Sequence, residues 1–438
     1  MQSRHRWLSG LMWGFFGLWL LAQLPGFIAQ SRQGRSPIDF LAYDLAAQAI
    51  QRDQSPYQPP EETQKIWRAF HQDEQDVIAA SAQGQGAQVL REQQARPQQP
   101  GPYVYPPSLA LLIMQLHIDG PVFAVLLGLA IAGFAWLWLR ETKSRAVALL
   151  LLIFSLEVLT SLQGGNVELL LLFATLLGAW LLWHQRGILA APLIALVVVI
   201  KPFYALFFVA FGLFQLRGQA IPARRSLRTL ATAAGVALLL VMLEIVRWGA
   251  ELRAETLFYL RHALDYQWFV LPVAQQTPMS IWNRTPMQAL MSAGLSAPAA
   301  QLLSLALWAI GVGVTLWASR SQRLDFPLAF ALAFVLLYWG RPVGWGLIYL
   351  EFVVALVLWP SLQPRRRWLL LLVVIALMAS RWWALILTAR GYGMPLMTLQ
   401  SAALPWETWI VLPGSWLLLL GSIVRSASAV AHAQAAAG

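Results

Sequence analysis

Two aspartates, Asp39 and Asp44, stand in the polar stretch "SRQGRSPIDFLAYDLAAQAIQRDQSPY" that follows the first long apolar run. Two cations, Lys201 and Arg341, stand at breaks in later apolar runs, directly before Pro202 and Pro342. A carboxylate can take a proton from a hydroxyl, and cations hold negative charge, so these residue types suit chemistry on an anionic substrate. The two aspartates do not form a close pair. At 3.6 residues per turn, positions five apart lie about 140° around a helix. Asp44 therefore reads as a solvated or hydrogen-bonded acid. Asp39 has two readings. "SPID" is a helix start, with Ser36 at the N-cap, Pro37 at N1 and the acid at N3, so the carboxylate can cap the helix or act as a base. Lys201 and Arg341 can snorkel to an interface or bind an anion, and two cations at matched breaks favour the anion more than either alone.

The elements that would position these residues are membrane helices. The chain has 438 residues, 58% hydrophobic and 12% charged, whereas a soluble chain is about a quarter charged. Apolar runs at 7–29, 121–139, 167–184, 229–249, 299–318, 368–387 and 406–424 are long enough to span a bilayer. Shorter runs at 146–162, 188–200, 203–216, 325–339 and 345–360 include two pairs, broken by "KP" and by "GRPVGW". The reading is an all-α, polytopic membrane protein with about twelve spans, a single integral membrane domain over 1–438. The run at 7–29 exceeds a signal peptide's apolar region and lacks a clear cleavage site, so it reads as an uncleaved first span.

Basic residues sort by side. Arg4, Arg6, Arg140, Lys143, Arg145, Arg186, Arg224, Arg225, Arg228, Arg320 and Arg365 to Arg367 fall in turns that place both termini in the cytoplasm. This distribution explains the net charge of +11 by topology and gives no case for nucleic-acid binding. Two long extracytoplasmic loops result. Loop 30–107 is Gln-rich with helical spacing at Ile66, Trp67, Phe70, Val77 and Ile78, predicting surface helices. Loop 250–298 contains "LFYLRHALDYQWFVLP", suited to an interfacial helix. Polar residues crowd the outer ends of spans: Asp39, Tyr105, Gln163, Asn166, Glu168, Lys201, Gln276, Arg284, Arg341 and Glu351. Such groups usually face a protein interior or wet cavity, so a site at the extracytoplasmic interface is expected. There is no cysteine, P-loop, GxSxG or HExxH, and the six histidines are scattered.

In order along the chain, "DFLAYDLAAQAIQRDQSPY", "YVYPPSLALL", "QGGNVELLLLFATLLGAW", "KPFYALFFV" and "QQTPMSIWNR" resemble glycosyltransferase family 87 over about residues 7 to 360. These are polytopic enzymes of the GT-C class that use polyprenyl-phosphate sugars. The resemblance implies that Asp39 is the catalytic base. Tyr105, Pro106 and Pro107 match the family's "YPP", Gln163 and Asn166 its polar turn, Lys201-Pro202 its "KP", and Gln276 and Arg284 its "NQS…R" stretch. "RPVGWGLIYLEF" departs from a family segment "PxSWxHH": Gly344 replaces the Ser, and Leu347 and Ile348 stand where histidines are often found. Glu351 is one turn further and could substitute. Asp44 stands where the family often has Tyr, and the loop 58–101 is longer than usual.

The implied reaction suits these residues. Phosphate leaves without a proton, so one carboxylate suffices as base, and cations stabilise the departing charge. Asp39 would be the base; Lys201, Arg341 and Arg284 would bind the donor phosphate; Tyr105, Gln163, Asn166, Gln276 and Glu351 would contact substrate. The expected enzyme inverts the anomeric centre and transfers a mannose-like hexose, or a pentose, in the cell membrane. Its donor is a polyprenyl-phosphate sugar, its acceptor a glycolipid, polysaccharide or protein, and it needs no metal or other cofactor. A transporter or flippase, or a non-catalytic relative that binds lipid-linked sugar, are the alternatives.

Overall fold

The computed structural model describes residues 14, 17–18, 38–58, 60–95, 103–142, 146–154, 166–218, 223–247, 249–262, 285–320, 324–342, 348–362, 366–373 and 410–423. Among these residues every regular element is a helix. Three lie within the first predicted loop: α1 (Ile38–Gln51), α2 (Pro60–Ala82) and α3 (Gly86–Ala95). Then follow α4 (Pro107–Gln115), α5 (Gly120–Thr142), α6 (Ala146–Ile153), α7 (Glu168–Trp183), α8 (Gly187–Ile200) and α9 (Tyr204–Gly218). The rest are α10 (Ala223–Arg247), α11 (Gly249–His262), α12 (Pro286–Ser292), α13 (Ala297–Ala318), α14 (Phe326–Gly340) and α15 (Ile348–Ser361).

Of these, α5, the Arg225–Leu243 part of α10, and α13 are long and apolar enough to cross a membrane. Shorter apolar helices accompany them, including α7, α8, α14 and a late helix at Leu412–Ile423. The molecule is thus an all-α membrane protein. Its core is aromatic: Phe207, Phe211, Phe326, Phe330 and Phe334 form one run of ring contacts through α9 and α14, all nearly or fully buried. Late in the chain, Trp416 packs against Trp339 at a tilt and donates its indole N–H to Thr315 at 3.0 Å, tying Leu412–Ile423 to α13 and α14.

Helix length is what shapes the site. At 1.5 Å per residue, the 23-residue α5 and 22-residue α13 are about 33–35 Å long. The 14- to 16-residue α7, α8, α9 and α14 reach only about 21–24 Å. The short helices end well inside the long ones. Gly340 abuts Trp308, and the Ser304 hydroxyl donates to the Trp339 carbonyl. Trp308 is about eleven residues into α13, so the end of α14 lies about 16 Å from the α13 N-terminus. On the other side, Gly133 abuts Phe173 and Trp180 bonds Glu141, so α5 and α7 run parallel. Counting back five residues in both sets Glu168 level with Gly128, about 12 Å inside the start of α5. The start of α7 and the ends of α8 and α14 therefore lie level with the interior of the long helices, and they form the floor of the site described below.

The close approach at Gly340 permits this arrangement. A Cβ there would meet Leu206 Cδ1 at 2.6 Å and Trp308 Cβ at 3.3 Å, so a larger residue would displace the Leu206 side chain and press on Trp308 where α9, α13 and α14 converge next to Arg341.

Candidate active site

Both cations are delivered by the same local device. Lys201 is the C-cap of α8 at φ −138°, ψ 95°, and Arg341 the C-cap of α14 at φ −79°, ψ 142°. Each precedes a proline, whose ring disfavours the α conformation in the residue before it. The helix must stop there, and a cation stands at the negative end of the helix dipole. The carbonyls left open at the end of α8 are met by α11: the Tyr259 hydroxyl donates to the oxygens of Val199 (3.2 Å) and Ile200 (3.3 Å). Glu168 occupies the opposite pole, in the first turn of α7, where an acid is favoured.

These poles meet. Glu168 Oε2 accepts from the Lys201 ammonium, and its Oε1 accepts from Tyr204 Oη at 2.8 Å and Arg341 Nη1 at 3.5 Å. Phe203 lies beneath both cations, 5.9 Å from Lys201 Nζ and 4.8 Å from the Arg341 guanidinium carbon. Arg341 also stacks at 4.7 Å over Tyr338 and is only 2% exposed. A guanidinium buried to this degree needs compensating charge, and the Glu168 carboxylate supplies it.

Asp39 reaches the same floor from α1, which is outside the apolar spans. Its carboxylate is hydrogen-bonded by the Asn166 side chain and feels the charge of Lys201. Because Asn166 Oδ1 accepts from the Glu168 backbone N–H at 2.8 Å, its amide N–H is what faces Asp39. Burial pushes the Asp39 carboxyl up from 3.8 to about 6; Lys201 and Asn166 restrain the rise. The outcome is a base that exchanges its proton near neutral pH. Asp44 is on another face and accepts from Gln48 Nε2 at 3.0 Å, the hydrogen-bonded acid that its spacing predicted.

An aromatic wall holds α1 over the floor. Tyr43 meets Tyr105 and Phe123 at ring distances of 5.2 and 5.9 Å, and the Tyr105 ring lies 5.5 Å from Lys201 Nζ. Burial raises the Tyr105 hydroxyl above its ordinary range, so it stays protonated. Tyr57 donates to the Tyr105 carbonyl at 2.7 Å and stacks on Phe258 of α11, while Ser55 donates to Glu255 at 2.6 Å. The segments predicted as two separate loops thus join beside the site.

Of the residues singled out from sequence, Asp39, Tyr105, Asn166, Lys201 and Arg341 come together. Glu351 is buried and feels its way to the group through Tyr338, on which its charge acts. Gln163, Gln276 and Arg284 lie outside the described residues, as do Ser36, Pro37, Gly344 and Leu347. Sequence reasoning placed Glu168 at the right end of its helix but not as the shared partner of both cations, and it passed over Tyr204 and Phe203. The clue available was the matching of helix poles: an acid opening one helix, a cation closing each of two others. Among the described residues no group of three His, Asp or Glu could hold a metal ion.

Comparison with known proteins gives one finding. The sequence pattern of glycosyltransferase family 87 matches residues 103–339, more than half of the chain. That segment contains Tyr105, Asn166, Glu168 and Lys201; Asp39 and Arg341 flank it. No curated protein and no solved structure matches the chain.

Proposed function

Since the chain belongs to glycosyltransferase family 87, we propose that it transfers a mannose-like hexose, or a pentose, from a polyprenyl-phosphate sugar to an acceptor hydroxyl, with inversion. The acceptor is a glycolipid, a polysaccharide end or a protein. The single observation that carries this reading is the meeting of one carboxylate of raised pKa, Asp39, with the Lys201–Glu168–Arg341 cluster at the floor of the site, where α7 begins and α8 and α14 end. The proposal puts that floor toward the extracytoplasmic face of the cell membrane, with about twelve spans and cytoplasmic termini. It rests on the basic turns at the opposite helix ends, such as Arg140 and Arg186.

Asp39 takes the acceptor's hydroxyl proton while the acceptor oxygen forms a bond to the anomeric carbon. The bond from that carbon to the phosphate oxygen breaks, and its electron pair leaves with the polyprenyl phosphate. Asp39 loses one negative charge as the phosphate gains one. The total charge of the site is unchanged, and Lys201, which acts on Asp39 and contacts Glu168, is near both ends of the transfer. Moving charge within a fixed, water-poor array requires little reorganisation. Arg341 and Lys201 receive the phosphate, with Arg284 completing the clamp. Tyr105 and Asn166 position the acceptor side, together with Gln163 and Gln276, and Glu351 supports Arg341 in place of the family's histidines.

The test is transfer of radiolabelled mannose from a polyprenyl-phosphate donor by the purified full-length protein, with candidate acceptor glycolipids and glycans supplied in turn. Labelled product with inverted configuration is expected. Turnover with a nucleotide sugar and none with any polyprenyl-phosphate sugar would overturn the donor class.

A further inference from the structure

A phosphate that bridges Lys201 and Arg341 must also come against Glu168, because that carboxylate contacts both cations. Building on the proposed reaction, we infer that Glu168 makes this anion site selective for a single negative charge: it admits the phosphodiester donor and disfavours the phosphate monoester dianion that transfer leaves behind. The carboxylate is then a device for product release.

Three features support this. Glu168 is fixed: Oε1 is held by the Tyr204 hydroxyl as well as by Arg341, so it cannot swing away when a ligand enters. The cations are fixed as well, by the paired X-Pro helix ends and by Phe203 beneath them. An anion therefore enters an array whose charges do not rearrange. For a dianion both the pull of the two cations and the repulsion by Glu168 are twice those for a monoanion at the same place, so the carboxylate cancels a share of the advantage that the second charge would otherwise give. The other acids nearby, Asp39 across Lys201 and Glu351 beyond Tyr338, act in the same direction. Among the described residues, Glu168 is the acid that contacts both cations. Glu168 thus serves two ends: it compensates the buried Arg341 in the resting site, and it limits affinity for the doubly charged product.

The probes are farnesyl phosphate, a monoester, and its methyl ester, a phosphodiester with the same tail and one charge fewer. Binding of each to the full-length protein in nanodiscs at pH 8 is measured for wild type and Glu168→Gln, with thermal unfolding as a folding control. The wild-type protein is expected to bind the diester at least as well as the monoester. In Glu168→Gln the preference should swing toward the monoester by about tenfold or more. A ratio unchanged within twofold while both ligands bind overturns the inference and leaves the proposed reaction standing. Failure of the folded wild type to bind either probe contradicts the donor class, and the inference falls with it. If Glu168→Gln does not fold, wild type alone decides. As pH falls from 8 to 5 the monoester becomes a monoanion, since phosphate monoesters lose their second proton near pH 6. The diester stays singly charged and so registers the protein groups that titrate over the same range, Asp39 among them. Monoester affinity must rise relative to the diester; a fall or no change refutes the role of Glu168.

Discussion

Replacing Asp39 with asparagine should stabilise the protein at alkaline pH. The carboxyl titrates at about 6 in the folded chain against 3.8 in an open one, because burial opposes its charge more than Lys201 and Asn166 support it. The difference of roughly two units, at 1.36 kcal/mol each, corresponds to about 3 kcal/mol. Asp39 as a residue is half-buried, and screening by the solvent near it brings the figure to about 1–3 kcal/mol. The sign follows from linkage. The folded value lies above the unfolded one, so the penalty is full above about pH 6, fades as pH falls through it, and vanishes below 3.8. Asparagine has the same shape and carries no charge, and Lys201 retains Glu168 as a partner. Thermal unfolding of wild type and Asp39→Asn in one detergent at pH 8 and pH 4 is the assay. A rise of a few degrees at pH 8, absent at pH 4, is expected. A variant less stable than wild type at pH 8 would mean that the ionised carboxylate is held for stability, as a helix cap or ion-pair partner, and would refute the reasoning.

The dependence of kcat/KM on pH should show an acid limb near pH 6, since the base must be ionised; Lys201→Met should move that limb upward by about one unit or more, because Lys201 favours the ionised Asp39. A limb that does not move would separate Lys201 from the base. Gly340→Val should cost about 1–3 kcal/mol, measured by chemical unfolding, because the new Cβ meets both Leu206 and Trp308 beside Arg341. Tyr57→Phe keeps the Phe258 stack and loses the hydrogen bond to Tyr105, so it should cost about 1 kcal/mol; Tyr57→Ala should cost more and speed hydrogen exchange in Gly249–His262.

The parts of the site that were legible in sequence are those fixed locally. "KP" and "RP" each force a helix to stop at a cation, and both stops are where the sequence puts them. The apolar runs at 188–200, 203–216 and 325–339 are short, and so are the helices they form. The grouping of Asp39, Tyr105, Asn166 and Lys201 could be anticipated from their common position at one end of the spans. What could not be read were relations across long separations. Glu168 meets Lys201 across 33 residues and Arg341 across 173, and no local pattern encodes either contact. The depth of the site relative to the ends of the long helices was hidden for a related reason. It depends on the lengths of neighbouring helices, which become comparable only when Gly340 meets Trp308 and Gly133 meets Phe173. The capping reading of Asp39 has local grounds, and what weighs against it is a partner from a distant segment, Asn166, two residues before α7.

The central claim is that Asp39 removes the acceptor's proton. Single-turnover transfer from a labelled polyprenyl-phosphate sugar, compared between wild type and Asp39→Asn at pH 7.5 with donor binding measured in parallel, tests it most directly. The account predicts that Asp39→Asn binds donor normally and transfers about 10²- to 10⁴-fold more slowly. Transfer within a few-fold of wild type would contradict it.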